Sequence, residues 1–220
     1  AARARVAEQR PELDVTADLV VGLDVASGVV GTVHRDSLIV LATEHAGAED
    51  GSFSVAEGIV RQWEGVVVMV GPEATVADLP GPLVVPLDGS ASGEQAVTGG
   101  LALAGAWDGP VWLLHVVDPA TDHKMAELRD VGYAISENAL VKELADELND
   151  GGQPAGWEIV HDADPVEAII DFAHQRGAAL IASASRGAGR TTRAFGSVSL
   201  RIVHESPVPV AIVGSSGIGT

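Results

Sequence analysis

The chain has 220 residues with 46% hydrophobic content, enough apolar material for one ordinary core or one core and part of another. It has no cysteine, which excludes a disulfide framework or a thiolate metal site, and no apolar run reaches the ~18 residues of a membrane span. A formal net charge of -18 argues against general nucleic-acid binding, since phosphates need clustered positive charge.

The N-terminus, AARARVAEQRPE, lacks the apolar stretch of a secretory signal, so the expectation is a soluble, cytoplasmic protein with no membrane partner. Asp24-Val25-Ala26 then opens a helix, Ser37-Leu38-Ile39-Val40 is an apolar run, Ser54-Val55-Ala56 starts a second helix, and Val66 to Gly71 is a second apolar run. Each has a later counterpart, namely Asp164-Pro165-Val166, Ala179-Leu180-Ile181-Ala182, Ser197-Val198-Ser199 and Pro209 to Gly214. The offset stays between about 140 and 143 residues, a sign of internal repetition.

Beyond a linker at 73–82, strand and helix patterns alternate. Leu83 to Asp88 is a short apolar run ending in an acid, and Gly89-Ser90-Ala91-Ser92 supplies turn and cap chemistry for a helix near 92–106. Val111 to Val117 is a second strand, stopped by Asp118-Pro119. An amphipathic helix fits 122–149, and Trp157 to Val160 is a third strand. Asp164-Pro165 opens a helix to about 176 with Pro at its first position. Ala178 to Ala184 is the fourth strand, followed by a helix near 197–205 and the strand Val208 to Val213. The alternation predicts an α/β fold, an open parallel sheet with crossover helices on both faces. Residues 83–214 form a complete unit, with a tail at 215–220. Residues 1–72 match only its second half, so the repeat predicts an upstream part, roughly 60 residues, missing from the first unit. The edge of such a half-unit is expected to be exposed.

Ligands of open α/β sheets bind beyond the carboxyl ends of the strands. Asp88, Val116-Val117 and the stretch from Ala184 onward are predicted to converge there. Asp88 could accept hydrogen bonds from ribose hydroxyls or serve only as a turn. Val116 could offer its backbone to an adenine edge. Gly187 and Gly189 allow close backbone approach, and Gly196-Ser197 presents a helix N-terminus that attracts anions. Ser197 could instead be a plain cap for Leu200 N–H. Residues 182–201 carry Arg186, Arg190, Arg193 and Arg201 with no acid, inverting the overall sign of the chain. No lysine-bearing phosphate loop, complete GxGxxG, GxSxG elbow or metal-spaced His set is present. No catalytic residue and no metal ligand is assigned.

Together these pieces resemble the universal stress protein family in its tandem form, whose signature runs G-x2-G-x9-G-[ST]. Here Ala184-Ser185-Arg186-Gly187 is followed by eight residues and then Gly196-Ser197. VVPLDGS resembles the family's first strand and HVVD its second. The resemblance implies an adenine-nucleotide alpha-hydrolase-like fold and a stress-response module binding ATP, possible with Mg²⁺, with at most slow hydrolysis. It implies nucleotide contacts at Pro86, Asp88, Val116, Ala184, Gly187, Gly189, Arg190, Gly196, Ser197 and Val198. It further implies self-association or an intrachain pseudo-dimer through strands 66–70 and 208–213. The alternative is a structural or interaction module, without nucleotide, that associates through its C-terminal strand. Two departures stand out: Ala184 replaces the first glycine, which would strain a left-handed backbone there, and the spacer is one residue short. The corresponding loop of the first half, Thr43 to Ser52, carries Glu44, Glu49 and Asp50 and no Lys or Arg, so no nucleotide is expected in that half.

Overall fold

A computed structural model describes residues 11–21, 24–34, 36–43, 55–75, 81–105, 109–120, 134–185 and 196–214. Its strands are β1 (Ile39–Ala42), β2 (Val66–Val70), β3 (Leu83–Leu87), β4 (Val111–Val117), β5 (Ala155–His161), β6 (Leu180–Ala184) and β7 (Val210–Val213). Its helices are α1 (Val25–Thr32), α2 (Val55–Gln62), α3 (Ala91–Ala104), α4 (Ala134–Asp150), α5 (Pro165–Arg176) and α6 (Ser197–Glu205). None of the helices is long and apolar enough to cross a membrane, among the described residues.

Local chemistry sets the starts of α1 and α5 where the sequence placed them, while the expected helix starts at Ser54 and near 122 lie outside the described residues. Asp24 accepts from Ser27 N–H at 2.9 Å and caps α1. Asp164 caps α5 through the N–H groups of Val166 and Glu167, with Pro165 at the first helical position, where no N–H is needed. Gly177, at φ +61°, ends α5 in a left-handed conformation that suits glycine. Hydrogen bonding to Ser27 holds the Asp24 carboxyl below its ordinary range.

The seven strands form one sheet in the order β1-β2-β7-β6-β3-β4-β5. All neighbours are parallel except β2 and β7, so the expected parallel sheet contains one antiparallel junction. That junction joins the strands before residue 72 to those from residue 83 onward. The β1–β2 ladder pairs Ile39 with Val67, and the β6–β7 ladder pairs Ile181 with Val210, which is the same register after the repeat offset. Across the junction Val67 faces Ile212 and Met69 faces Val210, with Val68 opposite Ala211 between them. Shifting by the offset exchanges the first two pairs and leaves the third in place. The contact is therefore self-complementary, as a two-fold axis through Val68 and Ala211 requires. Strands related by such an axis must run in opposite directions, which is why the junction is antiparallel.

Strand alternation divides the core into two layers. Val67, Met69, Val84, Leu114, Ile181, Val210 and Ile212 face α1, α2, α5 and α6. Val66, Leu83, Val85, Leu113, Leu180, Ala182, Ala211 and Val213 face α3 and α4. Burying each large aliphatic side chain contributes about 1.5–3 kcal/mol. β1 lies at one end of the sheet, as expected for the half-unit's edge, and Val40 is 59% exposed on the face that α3 and α4 cover elsewhere. β7 has β6 on one side and β2 on the other, so it offers no open edge to another copy. The expected association between chains through Val208–Val213 is thereby closed, while pairing of that strand with 66–69 occurs within the chain.

Candidate functional site

The first wall forms where β3 leaves the sheet. β3 pairs with β4 over its whole length but with β6 only at Leu83 and Val84. Pro86, which lacks an N–H, lies beyond the β6 ladder, where no donor is required. The two strands therefore part, opening a cleft at the point where strand order reverses. Asp88 follows, and its Oδ1 accepts from Ser90 N–H at 3.1 Å and from the Ser90 hydroxyl. Gly89 makes the turn at φ +73°, and Ser90 caps α3 by accepting from Gly93 N–H at 3.2 Å. The turn role weighed for Asp88 is thus real, and Asp88 also lines the cleft.

The second wall is the end of β4. The β3–β4 ladder stops at Leu87 and His115, and the His115 ring Nδ1 lies 2.8 Å from Leu87 O, bracing the two strands. Val116 extends one residue beyond β3's reach. The third wall is the end of β6 with the start of α6. Ala184 closes β6 paired with Val213. Extended backbone there suits any residue, so the strain anticipated for an alanine does not arise. Ser185 N–H donates to Val213 O at 2.9 Å and Gly196 N–H to Ser185 O at 3.0 Å, joining the two sides where the chain leaves β6 and enters α6. Gly196, not Ser197, is the cap residue, and no side chain caps this helix. Leu200 N–H goes to Gly196 O at 3.1 Å, which corrects the reading of Ser197 as its partner. The first-turn N–H groups point out of the helix end, the arrangement that favours an anion.

α5 supplies the fourth wall through Pro165 and Ile169. Its start is tied to α6 by Arg201, whose Nη1 lies 3.0 Å from both Asp164 carboxylate oxygens and whose Nε donates to Glu205 at 2.9 Å. The hydrogen bond from Arg201 holds the Asp164 carboxyl below its ordinary range, and the two acids push the guanidinium up. Arg201 is therefore committed to these acids and is not a spare charge for a ligand.

These walls enclose a cavity of about 410 Å³. It gathers Pro86, Asp88, Val116, Ala184, Gly196, Ser197 and Val198 from four separate elements. Gly187, Gly189 and Arg190, with Arg186 and Arg193, lie outside the described residues, as does the acidic stretch 44–52. Sequence reasoning missed Leu87, Gly93, Pro165, Ile169, Ser183 and Ser199, which also line the cavity. Pro165 and Ile169 could have been found, because a spacing of four at the start of a helix puts both on one face. Among the described residues no cluster of three or more His, Asp or Glu is arranged to hold a metal ion.

A model of the universal stress protein family matches residues 81–214. No curated protein matches the chain. Among solved structures, a universal stress protein from Archaeoglobus fulgidus aligns with a TM-score of 0.61 at 21% identity, over 81% of this chain and 62% of that one. The chain thus spans less than two thirds of that structure's length. Universal stress protein UspA from Lactobacillus plantarum aligns with a TM-score of 0.52 at 25% identity, over 62% of this chain and 99% of that one.

Proposed function

The chain belongs to the universal stress protein family, and from this premise we propose that residues 83–214 form an adenine-nucleotide-binding module. The observation that carries the reading is the 410 Å³ cavity at the carboxyl ends of β3, β4 and β6. Its size lies in the range of small-molecule sites, and its polar groups are few. Asp88 accepts hydrogen bonds from ribose hydroxyls, the Val116 backbone meets the adenine edge, and the α6 N-terminus receives phosphate. ATP and Mg²⁺ are the first ligands to test. The module binds and at most hydrolyses slowly, in a cytoplasmic stress response.

Residues 1–72 are, in this reading, the second half of an equivalent unit, joined by the linker 73–82 and docked as an intrachain pseudo-dimer. The self-complementary β2–β7 junction supports that arrangement. Binding is confined to the C-terminal unit. The stretch of the first half that corresponds to the phosphate loop, 43–52, carries Glu44, Glu49 and Asp50 and no Lys or Arg, a charge that repels phosphate.

Thermal unfolding with and without ATP and Mg²⁺ tests the proposal. A ligand at ~100 times its dissociation constant stabilises by ~2.7 kcal/mol. At ~2–4 °C per kcal/mol for a chain of this size, the midpoint rises by roughly 5–10 °C. No rise at millimolar ATP leaves the reading as a structural module in its place.

A further inference from the structure

Ser183 and Ser199 both line the cavity, and each is only 6% exposed. Burying hydroxyls in an otherwise aliphatic strand and helix is costly unless they bond, and these two bond to each other at 3.0 Å. Ser199 Oγ donates to Ala184 O at 2.9 Å, the carbonyl at the last residue of β6. Ser183 Oγ lies 3.5 Å from the same carbonyl, so Ser199 makes the shorter bond to it, and either hydroxyl is able to donate in the Ser183–Ser199 bond. The result is a two-step chain from inside β6, through the first turn of α6, back to the end of β6. It bridges β6 and α6 without using the segment that connects them in sequence.

We propose that Ser199 is a positioning residue: its hydroxyl fixes the first turn of α6 against the end of β6, so that the helix N–H groups are held at the anion end of the cavity. The inference rests on the nucleotide reading above and assigns Ser199 no contact with the reacting or bound atoms. Three observations support it. α6 has no side-chain cap to stiffen its start. Among the described residues, the backbone bond between the start of α6 and the end of β6 is Gly196 N–H to Ser185 O. Both Ser197 and Val198, immediately before Ser199, line the cavity. Ser183 supports the same lock from the strand side, its Oγ lying 3.0 Å from Ser199 Oγ and 3.5 Å from Ala184 O.

The experiment compares wild type, Ser199→Ala, Ser199→Thr and Ser183→Ala by titration with ATP and, separately, with adenosine. Loss of one buried hydrogen bond corresponds to roughly fivefold in an equilibrium constant. Ser199→Ala is expected to weaken ATP about fivefold while leaving adenosine within twofold. Ser199→Thr, which keeps the hydroxyl, should restore ATP binding, and Ser183→Ala should show a smaller loss in the same direction. Amide exchange in the ligand-free protein should quicken at residues 197–200 in Ser199→Ala and return in Ser199→Thr. Equal losses for ATP and adenosine, or unchanged ATP affinity with unchanged exchange, overturn the positioning role. Wild type that binds neither ligand overturns the nucleotide reading, and the proposal with it.

Discussion

Gly93 separates the cavity from the fold. It sits in the first turn of α3, and a Cβ added there would lie 3.4 Å from Asp88 Oδ1 and from Leu87 Cδ2, at the edge of ordinary van der Waals contact. Nothing nearer opposes it, so Gly93→Ala should fold without strain. Removing glycine's extra freedom in the unfolded chain stabilises by about 0.4–1 kcal/mol, or roughly 1–4 °C in the midpoint. Gly93→Leu starts from the same Cβ and adds its remaining carbons to a residue that lines the cavity with Asp88, where the proposal puts the nucleoside. The unliganded midpoint of Gly93→Leu should therefore stay near that of wild type, while the ATP-induced rise of roughly 5–10 °C falls to near zero. Differential scanning fluorimetry of the three proteins, each with and without ATP and Mg²⁺, reads both quantities. A full ATP-induced rise in Gly93→Leu would refute the reasoning, because a nucleotide in this cavity cannot coexist with that side chain.

Gly71 follows β2 and tests packing at the junction. A Cβ there would lie 2.1 Å from Val203 O, a backbone atom on α6 that cannot turn aside. Gly71→Ala should lower stability by about 1–3 kcal/mol in urea titration, whereas Gly31→Ala in α1, with open space around it, should raise it by about 0.5–1 kcal/mol. The Asp164–Arg201 pair predicts a pH effect. The folded carboxyl titrates below its ordinary value of 3.8, so its contribution is full above that value and is lost as pH falls through the folded pKa. Asn also caps helices well, so Asp164→Asn removes the charge and keeps the cap. The variant should be less stable than wild type at pH 7, with the gap closing in acid and shrinking in high salt, since both side chains are partly exposed. A gap that is constant from pH 7 to pH 3 contradicts this assignment.

Much of the site was legible because it depends on short, local patterns. Asp24, Ser90 and Asp164 could be read as caps from residue type and position, and the structure uses each of them so. Ser197 misled, because a serine after a glycine at a helix start fits either position, and only the hydrogen bond of Leu200 to Gly196 distinguishes them. Arg201 misled for another reason. Its span contains no acid, but Glu205 lies just beyond it, four residues on, and its other partner, Asp164, is 37 residues away and adjacent only once α5 and α6 pack together. Ser183 and Ser199 carried no signal at all, since a serine in a strand and another in a helix acquire meaning only when their oxygens meet.

By itself, then, the order of residues determined the strand and helix alternation, the repeat at a nearly constant offset, and the three strand ends that line the cavity. These follow from periodicity and cap chemistry, which act over a few residues. Tertiary structure alone decided that β2 and β7 meet antiparallel within one chain, that β3 and β6 part after Val84 to open the cleft, and that α5 closes it. Those outcomes depend on which surfaces bury one another across long stretches of the chain, and no local pattern encodes such distances.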